Sequence, residues 1–295
     1  MALTTITKDG LTATINSMGA QLMSLKVDEA EYLWQGDPEF WPRRAPVLFP
    51  IVGCLKGDAA ESAQGPVRLK RHGIARLYDH EIAENTGSSV TFELTSTEET
   101  RAAYPYDFRL NMTYAVDGTS LAQTFEVTNT GDVDLPFTLG GHPAFNVPVP
   151  GAENEAFDDY KLVFPKKWTA SVPKIDDAGL HDFSQMTTLF EDSDEMDLSH
   201  ALIDELLTIV FCDVPGNRVS LVGKKSGHGV ELEFPASITW ASGAPRAPRP
   251  SSPSSRGTGA RPPMTRATAS RTSATRSCWR PASPPPSPSP SRRSK

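Results

Sequence analysis

Residues 241–295 contain no Asp, Glu, Val, Ile, Leu, Phe or Tyr. A stretch without branched aliphatic side chains, Phe or Tyr cannot supply its share of a packed core, and without carboxylates it holds no acidic partners for its own cations. What it holds instead is ten Arg, one Lys, twelve Pro and thirteen Ser. The whole chain carries 29 basic and 36 acidic residues, so the first 240 hold 18 basic against 36 acidic, a net of −18. The averaged charge hides an acidic body and a basic end. An acidic body excludes nucleic acid as the natural partner of the folded part.

Cysteine is scarce too. Cys54, Cys212 and Cys278 make no disulfide framework and no metal-ligand spacing. The segment Met1-Ala2-Leu3-Thr4-Thr5 lacks the basic-then-apolar pattern of a signal peptide. No uninterrupted apolar run is long enough to span a bilayer. There is no phosphate loop, dinucleotide fingerprint or Gly-x-Ser-x-Gly elbow. These absences leave the expectation of a soluble, cytoplasmic protein with no membrane partner.

What is present reads as antiparallel β. Val90, Phe92 and Leu94 alternate with polar residues, as do Phe108, Leu110, Met112, Tyr114 and Val116. Asp117-Gly118 then supplies a tight hairpin turn, and Leu121, Phe125 and Val127 share one face of the return strand. Further strands are expected at Leu162–Phe164, Thr208–Phe211, Val219/Leu221 and Val230–Phe234, with one short helix within Asp197–Leu207. The expectation is an all-β sandwich domain over residues 1–240, followed by a disordered tail over 241–295.

Three segments carry chemistry. In Gly140-Gly141-His142-Pro143-Ala144-Phe145-Asn146, two glycines allow close backbone approach and Pro143 restricts His142 to extended geometry. That arrangement aims one imidazole into a cleft. In Arg71-His72-Gly73-Ile74-Ala75-Arg76, a histidine lies between two arginines, whose forks suit sugar hydroxyls, carboxylates and phosphates. A solvated basic turn fits that segment equally well. Ala45–Gly53 is an apolar, proline-bounded run that reads as buried, with Arg43, Arg44 and Lys56 at its ends able to edge a pocket. Trp34, Trp41 and Tyr104 are candidates for stacking on sugar faces, or for core and rim positions. His80, His181, His200 and His228 stand in polar stretches and are expected to be exposed.

Together these segments resemble the aldose 1-epimerase (galactose mutarotase) family, in its LacX-like branch. The matching stretches are Gly19–Leu25, Glu31–Pro38, Trp41, Ala45–Gly53, His72–Arg76, Tyr104-Pro105 and Gly140–Phe145, in the family's order. The resemblance implies a galactose-mutarotase-like β-supersandwich, here truncated at its C-terminal strands. It implies interconversion of the α and β anomers of a small-molecule sugar, with no cofactor and no metal. His142 matches the family's acid, and His72 matches a histidine on the ring-oxygen side. Arg76, Lys56, Asn146 and, more weakly aligned, Asp204 match substrate-binding positions. Alternatives on the same scaffold are a non-catalytic carbohydrate-binding protein and a hexose-6-phosphate mutarotase. A third alternative is an interaction protein working through its basic tail.

The family's general base is a glutamate in a late Glu-Pro-Trp segment, which this chain lacks. It can be looked for in a displaced reading frame, each codon taking the last base of one printed codon and the first two of the next. Pro250–Gly257 then permits Phe-Val-Ala-Leu-Glu-Pro-Trp, with the glutamate codon straddling Ser254 and Ser255. Ser277–Ser283 permits Met-Leu-Ala-Pro-Gly-Glu, which includes the family's late Leu-x-Pro-Gly-Glu turn. The Leu is forced, because either Cys codon followed by Trp gives it. One displacement thus recovers two family segments in order, and the expectation is a frameshift near Trp240–Gly243. Sequencing the gene across codons 235–260 checks it. A base gained or lost there is expected, and an intact frame would establish the tail as genuine.

Overall fold

The computed structural model describes residues 1–176, 178–206, 208–234, 240–242, 267–269 and 272–282, the last three as backbone alone. The chain enters through β1 (Leu3–Lys8), β2 (Leu11–Asn16), β3 (Gln21–Val27) and β4 (Ala30–Glu31), a four-stranded antiparallel sheet in chain order. Short strands β5 (Val47–Leu48), β6 (Ala59–Ser62) and β7 (Gly65–Arg68) follow. Next come β8 (Glu81–Asn85), β9 (Ser89–Thr95), helix α1 (Glu98–Ala103), β10 (Phe108–Asp117) and β11 (Ser120–Asn129). After β12 (Leu135–Phe137) and β13 (Gly140–Gly141), a long hairpin is made by β14 (Tyr160–Ile175) and β15 (His181–Asp197). Helix α2 (His200–Leu206) leads to β16 (Ile209–Phe211), β17 (Arg218–Gly223) and β18 (Gly229–Glu233).

The expected alternation is borne out. Strand β10 buries every second residue from Phe108 to Val116, and β10 and β11 pair from Phe108↔Asn129 to Asp117↔Ser120 around the Asp117-Gly118 turn. Both strands present one apolar face and one polar face. The main sheet has nine strands in the order β15-β14-β17-β18-β21-β11-β10-β9-β8. Helix α2 falls within the expected Asp197–Leu207. Helix α1 was not expected. Its signal is short: Thr97 and Thr100 exchange side-chain bonds with each other's backbone N–H, at 3.2 and 2.8 Å, in a capping box without the usual Glu or Gln.

Beyond the compositional break, three backbone segments are strand: β19 (Trp240–Ser242), β20 (Ala267–Ala269) and β21 (Thr272–Ala282). Strand β19 pairs with β16, β20 with β12, and β21 lies between β11 and β18. The remainder of the tail falls outside the described residues. Among the described residues, no helix is long and apolar enough to cross a membrane.

The apolar side chains form two clusters. One joins β1–β3 to β9–β11 through residues such as Ile6, Ile15, Phe92, Phe108 and Leu110. The other lies under β14, β16, β17 and β18 and includes Tyr160, Phe164, Phe211 and Val219. Phe145 packs against both. Within the first cluster, the Tyr114 hydroxyl donates to the Ala20 carbonyl at 2.8 Å and accepts from the Gln123 amide at 2.7 Å. All three residues are buried. Removing that hydroxyl orphans a buried carbonyl and a buried amide donor. Tyr114→Phe is therefore expected to cost about 1–3 kcal/mol, read from the shift in denaturant midpoint. An unchanged midpoint would show that neither partner depends on the hydroxyl.

Candidate active site

The three chemistry-bearing segments of the sequence interlock through their backbones. Ala45–Pro50 is buried, as expected. On one side, β5 pairs with β13, setting Leu48 against Gly140 and Val47 against Gly141. The ladder continues with the His142 N–H on the Pro46 carbonyl at 3.1 Å and the Ala144 N–H on the Arg44 carbonyl at 2.9 Å. On the other side, the Phe49 carbonyl accepts from the N–H groups of Ile74 and Ala75, at 2.8 and 3.1 Å. Gly73 lies so close that a Cβ there would sit 2.3 Å from the Phe49 oxygen, and its φ is +68°. Only glycine fits. The apolar run is thus a central rail that presents both histidine loops.

His72 is held by a reciprocal pair of bonds. Its N–H donates to the Gly53 carbonyl at 2.8 Å, and the Gly53 N–H donates to Nδ1 at 3.1 Å. An Nδ1 that accepts cannot carry the proton, so the neutral ring bears it on Nε2. Burial lowers the His72 pKa from the ordinary 6.5 to about 4, and the nearby His142, Arg71 and Arg76 push in the same direction. His72 is therefore a neutral Nε2–H donor at physiological pH. Its backbone stands at φ +70°, a conformation most side chains avoid.

The two rings meet edge to face, with centroids 5.6 Å apart and an interplanar angle of 79°. The other side of His142 stacks on Trp41 at 5.0 Å and 27°. His142 is open to solvent, yet the protein crowded around it withholds hydration and lowers its pKa below 6.5. Beneath the loop, a Cβ on Gly141 would lie 3.0 Å from Gln123 Oε1. Gln123 is buried on the face of β11 that Leu121, Phe125 and Val127 mark in the sequence. A polar residue in the buried phase of a strand was the available signal.

Arg76 lies on the short 3₁₀ turn after His72, and its Nη2 donates to the Arg71 carbonyl at 2.9 Å. Gly19 packs against its backbone, since a Cβ there would be 2.8 Å from the Arg76 Cα. Lys56 is exposed on the next turn of chain after the Gly53 segment. Asn146 spends its amide on the Glu31 carbonyl, at 2.9 Å, and so ties the His142 loop to β4. Asp204 is exposed on α2, whose Ile203 packs into the other apolar cluster, apart from the ring contacts that join His72 and His142. One histidine corrects the sequence reading: His80 is 3% exposed, with Nε2 on the Ala75 carbonyl at 3.0 Å. Polar neighbours in sequence had suggested exposure, but the turn after Arg76 folds it inward. Among the described residues, no group of three or more His, Cys, Asp or Glu is placed to hold a metal ion.

The depressed His72 pKa makes stability depend on pH. Between 6.5 and about 4, the unfolded imidazole takes up a proton that the folded one refuses. Folding therefore weakens as pH falls through that window and is unaffected by this group above it. Asn at position 72 keeps an acceptor for the Gly53 N–H and tolerates positive φ. His72→Asn is expected to flatten the loss of unfolding free energy between pH 6.5 and about 4, measured by denaturant titration at several pH values. Parallel curves for the two proteins would refute the assignment.

Comparison with known proteins bears on this site. A model of the family described as aldose 1-epimerase matches residues 2–234, ending just before the break in composition. The plasmid-encoded Protein LacX of Lactococcus lactis subsp. lactis is 35% identical over 241 residues, covering 78% of this chain and 80% of that one. The crystal structure of a galactose mutarotase related enzyme from Lactobacillus acidophilus superposes with a TM-score of 0.82 at 26% identity, over 96% of this chain and 98% of that chain. A galactose mutarotase-like protein from Lactobacillus casei ATCC 334 gives 0.80 at 25% identity, over 95% and 99%. The all-β sandwich is thus of the galactose-mutarotase type. With its family match spanning both histidine loops and the rail between them, this chain belongs to the aldose 1-epimerase family of isomerases.

Proposed function

We propose that the chain derives from an aldose mutarotase that interconverts the α and β anomers of a hexose by ring opening and closure. The observation that carries this reading is the paired His72 and His142 rings, aimed from two rigid loops into one exposed site beside an aromatic wall. The reaction needs a proton donor at the ring oxygen and an acceptor at the C1 hydroxyl. His142 in its protonated form gives a proton to the ring oxygen as the bond from that oxygen to C1 breaks. The base takes the C1 hydroxyl proton, leaving an open-chain aldehyde. Rotation about the bond from C1 to C2 and reversal of both transfers close the other anomer and restore both groups. The neutral His72 Nε2–H hydrogen-bonds the ring oxygen and orients it. Trp41 holds the His142 ring in plane, Arg76 and Lys56 bind sugar hydroxyls, and Asn146 acts by anchoring the loop.

The base in this reading is the glutamate hidden in the displaced frame at Ser254 and Ser255, a position outside the described residues. The ending of the family match at residue 234 supports that reading. A chain without its base loses roughly 10²–10⁴-fold in rate. A non-catalytic sugar-binding role would leave mutarotation unaccelerated in every form of the protein.

Polarimetry of freshly dissolved α-glucose or α-galactose tests the proposal. The frame-restored chain is expected to exceed the chain as given by roughly 10²–10⁴-fold, and His142→Asn in the restored chain to lose a similar factor. Equal rates from the two chains would remove the glutamate from the mechanism. An unimpaired His142→Asn would remove the acid.

A further inference from the structure

Gly19-Ala20-Gln21 opens one of the sequence stretches that resemble the family, yet none of its residues takes part in the ring opening. This corner touches the supports of the site on three sides. The Gly19 N–H donates to the Tyr78 carbonyl at 2.7 Å, and Gly19, at φ +72°, packs against the Arg76 backbone. The corner is thus fastened to the far end of the His72 loop. Gln21 Oε1 accepts from the backbone N–H groups of Arg44 and Ala45, at 3.3 and 3.4 Å, where the buried rail begins. Between them, Ala20 is fully buried at φ +43°, a conformation that residues with a Cβ seldom adopt. Its carbonyl accepts from the Tyr114 hydroxyl.

From Tyr114 the chain of contacts continues under the other loop. A hydroxyl has one proton, and Tyr114 gives its own to a carbonyl, which cannot donate in return. Towards Gln123 the hydroxyl must therefore accept. The amide nitrogen of Gln123 faces Tyr114, and Oε1 is the atom set against Gly141, where a Cβ would meet it at 3.0 Å. Gly141 is the residue before His142. Tyr114 and Gln123 stand directly opposite one another on β10 and β11, so the ladder fixes both side chains. Ala20, Tyr114 and Gln123 are all buried, and a buried polar network is rigid when its bonds are made. One relay thus runs from the His72 loop, through Gly19-Ala20, Tyr114 and Gln123, to the His142 loop.

We propose that Tyr114 and Gln123 are positioning residues for the histidine pair, which through Ala20 and Gly141 hold the His142 loop in place over the His72 loop from beneath. The inference rests on the mutarotase reading for its catalytic consequence alone. The backbone rail grips the two loops through Val47, Leu48 and Phe49. The relay adds a second tie between them, made of side chains. Glycine at 141 is what lets Gln123 come up against the loop, since a side chain there would press on Oε1. A proton-transferring ring displaced by about 1 Å loses up to about 100-fold in rate, so a support that prevents such a displacement matters to turnover.

Histidine resonances of the full chain test the relay without requiring turnover. The Cε1–H signals of His72 and His142 are assigned by their loss in His72→Asn and His142→Asn. They are recorded at about pH 8, where both rings are neutral and a shift reports position rather than charge. Trp41, stacked on His142, makes that signal sensitive to small displacements of the loop. Gln123→Met keeps the length of the side chain and removes its polar atoms. It is expected to move the His142 signal and to leave in place those of His200 and His228, which lie outside the two loops. Tyr114→Phe deletes a single oxygen and tests the relay from its other end. It is expected to move both the His72 and the His142 signals, and the double variant to move His142 no further than the larger single change. Circular dichroism establishes that each variant folds. A His142 signal unmoved in either variant, additive shifts in the double variant, or a drift of His200 and His228 with the rest would overturn the proposal and leave a pair that serves stability alone. In the frame-restored chain, both variants are expected to lower kcat about tenfold with KM nearly unchanged. An unchanged kcat there would overturn the positioning role. Mutarotation absent from every form of the chain would sink the enzymatic reading, and the resonances would then decide the relay by themselves.

Discussion

Phe49 carries backbone bonds on which the whole site depends. Its carbonyl receives the N–H groups of Ile74 and Ala75, while its neighbours Val47 and Leu48 pair with Gly141 and Gly140. The run from Ala45 to Pro50 is buried, so these bonds are shielded from competing water. A rail that bonds to both sides fixes the separation of two loops far apart in sequence. It also explains how His72 can hold a positive φ, since Gly53 grips both its N–H and its Nδ1. Strain of this kind persists only where the surroundings over-determine the backbone.

The same construction sets the electrostatics. Burial and neighbouring positive groups keep the His72 ring neutral, while His142 reaches solvent between Trp41 and His72. Two imidazoles of the same chemistry thus acquire different roles from their surroundings, one a fixed donor and the other able to exchange a proton. Arg71 and Arg76 beside His72 are part of that positive field, in a body whose sequence is otherwise acidic.

Much of this was legible in the chain. The strands from Val90 to Val127 declare themselves because a half-buried antiparallel strand must alternate, and Asp117-Gly118 marks their turn. The loops of His72 and His142 declare themselves because glycine and proline restrict backbone locally. What joins them is not local. Nothing in Ala45–Gly53 says which chain segments its backbone bonds will meet, nor that Trp41 will lie on His142. His80 was misread because its neighbours are polar while its burial is decided by the turn before it. Helix α1 escaped because its cap uses a second threonine where glutamate is usual. Asn146 sits in the most informative segment of the sequence, yet its amide serves the backbone of Glu31.

Strand β21 joins the two halves of the main sheet, with β11 on one side and β18 on the other. Each half covers its own apolar cluster. During synthesis, β11 and β18 are both made well before residue 272. Until Thr272–Ala282 leaves the ribosome, each offers a row of unpaired N–H and C=O groups to any neighbouring chain. The joining strand is thus the last of the sheet to be translated. The interval before it arrives is when this protein is most exposed to pairing with another copy of itself, and when a chaperone that shields strand edges would matter most.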